Sequence, residues 1–342
     1  MGQLLDEIVK NVNKKQKADI FQQGLKEYNY ERIPFTSPRM NYCTFGGLPI
    51  GKIIEFYGEE HGGKTTTALD IIANYQNMFP DKDVLFIDAE NTLDVEWATK
   101  LGVDVEKMYI VKPESQSAEE IFEIIEQSVD SGEVGLWVLD SIGVLVSSME
   151  LDEKRTYEDK VYGGIALPLT RFSKKIEMLM QKTKCTGIGI NQLRDKLNSP
   201  YPTTDTPGGK AWKHCCSARM EFRRGKFVDA KGNELTKSAE NPAGNIVMMS
   251  MTKNKTCPPT RRTGFYTLKY DTGIDYLNDL IDVAIKYGIV EKSGAWYTII
   301  DTDSGEVIEG KMQGQASVCE KLENDSDLLE KVENLVEKSM QE

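Results

Sequence analysis

The chain has 342 residues, 39% of them hydrophobic, which allows one large domain with appendages or two domains around a sizeable core. No stretch approaches the run of about eighteen apolar residues that a membrane helix needs, and MGQLLDEIVKNVNKKQKADI has no apolar signal core, so no membrane partner and a cytoplasmic location are expected. A formal net charge of −12 argues against a nucleic-acid partner, yet residues 171–270 hold 20 Lys and Arg against 7 Asp and Glu, a basic island of the kind that faces a phosphate backbone.

Residues 1 to about 30 have the spacing of an amphipathic helix, and ERIPFTSPRMNYCTFGGLPIG then supplies the Pro, Ser and Gly signals of a linker. Beyond it, strand-like runs alternate with helical patterns: KIIEFYG, a helix from Lys64, VLFIDAE, a helix near Val95 to Leu101, MYIVK, a helix from Ser117, LWVLDS, a helix to about Lys182, and TGIGINQ. That alternation predicts an α/β core, a mainly parallel twisted sheet flanked by helices. From about residue 217 strands follow one another, ARMEFRRGKF, NIVMMSMTKN and TGFYTLKY, with DAKGNEL as a hairpin tip, which reads as an antiparallel extension of the sheet. DYLNDLIDVAIKYG, GAWYTII and LLEKVENLVEKSM predict a small α+β C-terminal domain, and residues 301–342, with 12 acidic against 4 basic side chains, an acidic tail. The expected division is 1–35, 36–270 and 271–342. The six cysteines are scattered, and KHCCSA, read as strand, points its neighbours to opposite faces rather than around a metal.

Chemistry concentrates in YGEEHGGKTTTALD. Gly58, Gly63, Lys64 and Thr65 stand in the spacing G-x-x-x-x-G-K-T between the apolar IIEFY and the helical TTTALDIIANYQ, the setting of a phosphate-binding loop. There the glycines let backbone N–H groups wrap phosphates, Lys64 reaches the β and γ oxygens, and the Thr65 hydroxyl ligates Mg²⁺. A nucleoside triphosphate with Mg²⁺ is therefore expected over Gly58, Glu59, Glu60, His61, Gly62, Gly63, Lys64, Thr65 and Thr66, with His61 a tolerated variable position. Asp140, closing the buried strand LWVLD ahead of Ser141, would hold the magnesium through its water shell. Glu90 projects just past the end of VLFID, where α/β sheets place their ligands, and is the candidate general base.

FGGLPIGKIIEFYGEEHGGKTT, FIDAENTLDVEWATKLGVD, LDSIGVLV, INQLRDK, TPGGKAWKHCCSARMEFRR, TKNK and EKSGAWY occur in an order and spacing that resembles the RecA family of bacterial and phage recombinases, over roughly residues 44–300. The resemblance implies a RecA-like P-loop core with ATP as the nucleotide, an N-terminal oligomerisation helix, and a DNA-dependent ATPase that forms helical filaments on single-stranded DNA and pairs it with homologous duplex. It implies roles residue by residue: Glu90 as catalytic glutamate, Asp140 as Walker B aspartate, and Gln192 as the sensor of the γ-phosphate. Asp94 and Trp97 would contact and stack on adenine, and Lys253 and Lys255 would reach the nucleotide of the adjacent protomer. DNA would be held by loops within 148–164 and 193–210, the second using Arg194, Lys196, Tyr201, Gly208, Gly209 and Lys210. Single-strand-binding or loader proteins and a self-cleaving repressor of the SOS response to DNA damage are further candidate partners. Leu167 and Pro168 depart from the family, standing where many relatives carry small residues and a DNA-supporting arginine.

Two other classes compete. A RecA-like hexameric helicase shares the ATPase core and DNA loops but would not be expected to carry TPGGKAW or EKSGAWY. A small-molecule kinase leaves the basic stretch 194–262 without a purpose.

Overall fold

The structure, a computed structural model, describes residues 3–16, 30–152, 163–195, 203–230, 232, 234–236 and 238–341. Helix α1 (Gln3–Gln16) ends on Lys14 and Lys15, whose charges suit its carbonyl end, and belongs to a unit of its own. The rest of the expected N-terminal helix lies outside the described residues. The second unit starts at Arg32. Its first segment, expected as a linker, contains a helix: Ser37 accepts the Met40 N–H and Pro38 opens the first turn of α2 (Pro38–Thr44).

A nine-stranded sheet follows. In chain order come β1 (Ile53–Gly58), α3 (Lys64–Met78), β2 (Asp83–Asp88), α4 (Val95–Lys100), β3 (Met108–Val111), α5 (Ala118–Asp130), β4 (Val134–Asp140), α6 (Ala166–Thr183), β5 (Thr186–Gln192), α7 (Gly209–Cys215), β6 (Ala218–Val228), β7 (Gly244–Asn254), β8 (Thr263–Lys269) and β9 (Gly273–Ile274). The strand order is β9-β8-β7-β6-β1-β5-β4-β2-β3. From β6 to β3 every pairing is parallel, and β7, β8 and β9 add antiparallel. The fold is thus α/β, a mainly parallel sheet with an antiparallel wing.

Alternation sorts the strands' apolar residues between two layers. Ile54, Phe56, Val84, Phe86, Leu136 and Val138 meet Leu69 and Ile72 of α3, whereas Leu85, Ile87, Trp137 and Leu139 meet Phe122 of α5, Phe172 of α6 and Trp212 of α7. Phe122 and Phe172 stack at 4.5 Å between ring centroids. Burial on both faces explains why these strands read as near-continuous apolar runs.

The C-terminal elements are α8 (Tyr276–Lys286), an antiparallel sheet of β10 (Val290–Ser293), β11 (Trp296–Ile300) and β12 (Val307–Gln313), then α9 (Gln315–Asn324) and α10 (Ser326–Gln341). The acidic stretch expected as a tail is folded through residue 341. Leu328, Val332, Leu335 and Val336 form a helical stripe that is buried with Val318 and Leu322 against Leu280, Ile281 and Tyr297.

Helices α2 and α8 meet at a buried carboxylate. Asp279 accepts from Ser37 Oγ and lies 3.4 Å from Arg39 Nε, while Arg39 also pairs with Asp282. Burial, partly offset by Arg39, pushes the Asp279 carboxyl up to about 7. Burial likewise pushes Asp70, which accepts the Thr36 N–H, up to about 6. The folded chain keeps these protons where unfolded aspartates, titrating near pH ~4, have lost them, so their contribution to stability is complete below about pH 4 and is lost as pH rises through 6 to 7. Urea midpoints should accordingly rise between about pH 8 and about pH 6, and Asp279→Asn should flatten that slope; a variant with the parent slope would contradict the assignment.

Candidate functional site

The phosphate-loop sequence forms the turn between β1 and α3. Gly58 has φ +149°, and a Cβ there would lie 2.0 Å from the Phe222 carbonyl oxygen of β6. At Gly63, φ +90°, a Cβ would fall 2.8 Å from the Val247 side chain. Both positions demand glycine because the loop is pressed against β6 and the antiparallel strand β7 beside it. Glu59, Glu60 and His61 form an exposed crest and Gly62 is buried beneath it. Helix α3 starts with neither a capping side chain nor an acid in its first turn, so its first N–H groups and the positive end of its dipole are left for an anion. Buried Lys64 donates to the carbonyls of Gly58 (3.2 Å) and Glu59 (2.7 Å). Burial holds its ammonium below the ordinary lysine range, with the charges of Asp140 and Glu90 opposing.

Beside this cradle, Thr65 Oγ1 donates to Asp140 Oδ2 at 2.6 Å, with Thr66 half-buried next to it. Burial pushes the Asp140 carboxyl up to about 6, the Thr65 hydrogen bond opposing and the Glu90 charge adding. A hydroxyl and a carboxylate meeting at the foot of an uncapped helix fit the oxygen donors of Mg²⁺ carried by a polyphosphate. The backbone N–H groups of Ala89 and Glu90 both donate to the Asp140 carbonyl, at 2.7 and 3.2 Å, which pins the segment after β2 to the end of β4. Glu90 Oε1 there accepts from Ser141 Oγ and, at 2.7 Å, from Gln192 Nε2. Lys64, Thr65, Glu90, Asp140, Ser141 and Gln192, scattered over 129 positions of sequence, are therefore gathered where β1, β2, β4 and β5 end. Asp88 takes the N–H groups of Thr92 and Leu93 and shapes the turn towards α4. Asp94 caps α4 by accepting the Trp97 N–H at 3.0 Å, and Trp97 is half-buried against the first core layer.

Of the expected DNA contacts, Lys196, Tyr201 and most of the first loop lie outside the described residues. Arg194–Asp195 pairs antiparallel with Thr204–Asp205, forming the stem of the second loop. Arg194 donates to the Gly143 carbonyl, just beyond β4, and so ties that stem to the segment that follows Asp140. Gly208 and Gly209 have a structural reason of their own: Gly208, φ +101°, precedes the first turn of α7, and a Cβ there would strike Leu169 of α6 at 2.5 Å. Lys210 is exposed on the first turn of α7. That helix also corrects the reading of KHCC as strand: Trp212 buries into the second core layer and winds the segment around it.

Lys253 and Lys255 of TKNK stand at the far end of α7. Lys253 Nζ donates to the carbonyls of Lys213 and His214, and Lys255 Nζ to that of His214 at 2.9 Å. Two cations thus cap the carbonyl end of the helix that follows the second loop. The sequence reading missed a buried carboxylate, Glu55, that accepts from Asn191, Trp212 and Arg219; a lone glutamate inside the apolar run IIEFY was the signal available.

Among the described residues no helix is long and apolar enough to cross a membrane. Residues 3–275 match the RecA N-terminal domain family and residues 278–341 the RecA C-terminal domain family. Protein RecA of Fusobacterium nucleatum is 37% identical over 307 residues, covering 89% of this chain and 75% of that protein. Protein RecA of Ruminococcus albus is 34% identical over 314 residues, 91% of this chain and 73% of that one, and Protein RecA of Streptomyces ambofaciens 34% over 312, with 91% and 78% covered. These matches span both the core and the C-terminal elements and do not favour the helicase alternative. Matched by the family's N-terminal model over residues 3–275 and by its C-terminal model over 278–341, and 37% identical to a Protein RecA over 89% of its length, the protein belongs to the RecA family of recombinases.

Proposed function

We propose that this chain binds ATP with Mg²⁺ at the loop 58–66, assembles as a helical filament on single-stranded DNA, pairs it with homologous duplex, and hydrolyses ATP in a DNA-dependent way. The observation that carries the reading is the 2.7 Å hydrogen bond from Gln192 to Glu90, which links the candidate base directly to the strand that leads into the second loop. Thr65 and Asp140 would hold Mg²⁺, which would supply positive charge to the phosphates. Lys64 exchanges two loop carbonyls for phosphate oxygens, which are stronger acceptors. Glu90, held by Ser141 and Gln192, orients a water and takes its proton. Gln192 can donate to Glu90 or to a terminal phosphate, and the change of partner is what the second loop would sense.

The division of labour follows the chain: 1–35 for oligomerisation, 36–270 for ATP and DNA, and 271–342 as an accessory domain. Asp94 and Trp97 would hold adenine. Arg194, Lys196, Tyr201, Gly208, Gly209 and Lys210 would line the DNA, read through its backbone rather than its sequence. Single-strand-binding, loader and repressor partners and a cytoplasmic setting complete the proposal. It is tested by ATP hydrolysis with and without single-stranded DNA, alongside pairing with a homologous duplex. Stimulated hydrolysis together with pairing is expected; stimulation without pairing would return the chain to a helicase-type motor.

A further inference from the structure

Strand β1 carries one charged residue in its buried interior. Glu55 is 0% exposed, three positions before Gly58, and its carboxylate is fully engaged by three distant segments. Oε1 accepts from Asn191 Nδ2 at 2.9 Å and from Trp212 Nε1 at 3.0 Å, and Oε2 accepts from Arg219 Nε. The neighbouring strands are shaped for this. Arg219 of β6 stands in register with Glu55 on one side, and Gly189 of β5 on the other. A Cβ at position 189 would come within 2.5 Å of the Trp212 ring, so the missing side chain is the slot that lets the indole reach the carboxylate.

Asn191 and Arg219 are also bonded to the second loop or to Gln192. Asn191 Nδ2 is shared with the Pro207 carbonyl at 3.0 Å, and Asn191 Oδ1 accepts the backbone N–H of Gln192 at 3.0 Å. Arg219 Nη2 donates to Thr206 Oγ1 at 3.1 Å. Thr206 and Pro207 form the exit of the second loop, and Trp212 lies on the helix that follows it. One carboxylate therefore holds the residue beside Gln192, the loop's exit and the next helix in a single hydrogen-bonded unit. Burying such a charge in a sheet core is costly, and a well-packed apolar set would serve stability as well or better. A fully satisfied buried network does, however, fix the relative positions of its members.

We propose that Glu55 is a positioning residue that couples nucleotide occupancy at Gln192 to the geometry of the DNA-binding second loop, acting through Asn191, Trp212 and Arg219. The inference rests on the proposed function. A shift of the Gln192 side chain from Glu90 towards phosphate loads the backbone that Asn191 holds, and the shared amide and carboxylate pass the displacement to Pro207 and Thr206.

The test measures affinity for a fluorescein-labelled oligothymidine with and without a non-hydrolysable ATP analogue, in the parent, in Glu55→Gln and in Trp212→Phe, which deletes one donor and keeps an aromatic ring. Both variants are expected to lose about tenfold of the analogue's enhancement of DNA affinity, while analogue binding without DNA stays within about twofold of the parent. Parent-like enhancement in either folded variant would overturn the proposal. So would a loss of analogue binding that tracks a fall in unfolding midpoint, the mark of a merely structural role. Absence of any enhancement in the parent would instead sink the proposed function, and this inference with it.

Discussion

Glu90→Gln should lower ATP turnover about 10²–10⁴-fold, the usual worth of a positioned general base, and leave nucleotide affinity within about twofold. The substitution isolates the proton-accepting role. A glutamine at position 90 keeps an oxygen for Ser141 Oγ and Gln192 Nε2, and its backbone N–H can still donate to the Asp140 carbonyl, so the pinned geometry survives. It cannot take a proton from water. Binding would be carried elsewhere, by the loop backbone, Lys64 and the uncapped start of α3. The effect should therefore fall on kcat and spare KM, and single-turnover hydrolysis beside equilibrium binding of a fluorescent nucleotide separates the two. Turnover retained at the parent rate would refute Glu90 as base and redirect attention to Asp88, whose carboxylate holds the turn towards α4.

The parts of this site that local chemistry dictates were legible in the sequence. The phosphate loop, the helix from Lys64 and the strand ending at Asp140 each need only their own residues and neighbours a few positions away. Segments rich in punctuating residues were less so. Ser37 and Pro38 are a helix-start signal, yet Phe-Thr-Ser-Pro followed by Gly46 and Gly47 reads as linker until the buried faces of Met40 and Cys43 are seen. Helix α7 was concealed by Gly208 and Gly209, which open it, and by its short length. Glu55 was beyond reach for a different reason. Its partners lie 136, 157 and 164 positions away, and the lone charge inside IIEFY, its one local signal, points to none of them. The register of β1 between β5 and β6 is what brings them together, and that is a property of the whole sheet.

Here Lys253 and Lys255 cap α7, and burial, with Lys255 adding, holds the Lys253 ammonium below the ordinary lysine range. A phosphate presented by an adjoining protomer offers both a charged acceptor in place of shared carbonyls, and it would restore the ammonium's usual basicity. If they make that exchange, Lys253→Ala should lower turnover about 10²-fold or more, comparable to deleting one transition-state donor. The decisive version mixes two inactive proteins. Glu90→Gln protomers retain a sound lysine face and Lys253→Ala protomers a sound phosphate-loop face, so in a head-to-tail assembly about a quarter of randomly formed interfaces would join two sound faces. An equimolar mixture should then regain hydrolysis that neither protein shows alone. A mixture as inactive as its components would confine each site to one protomer, and the lysines would be left as the cap of α7.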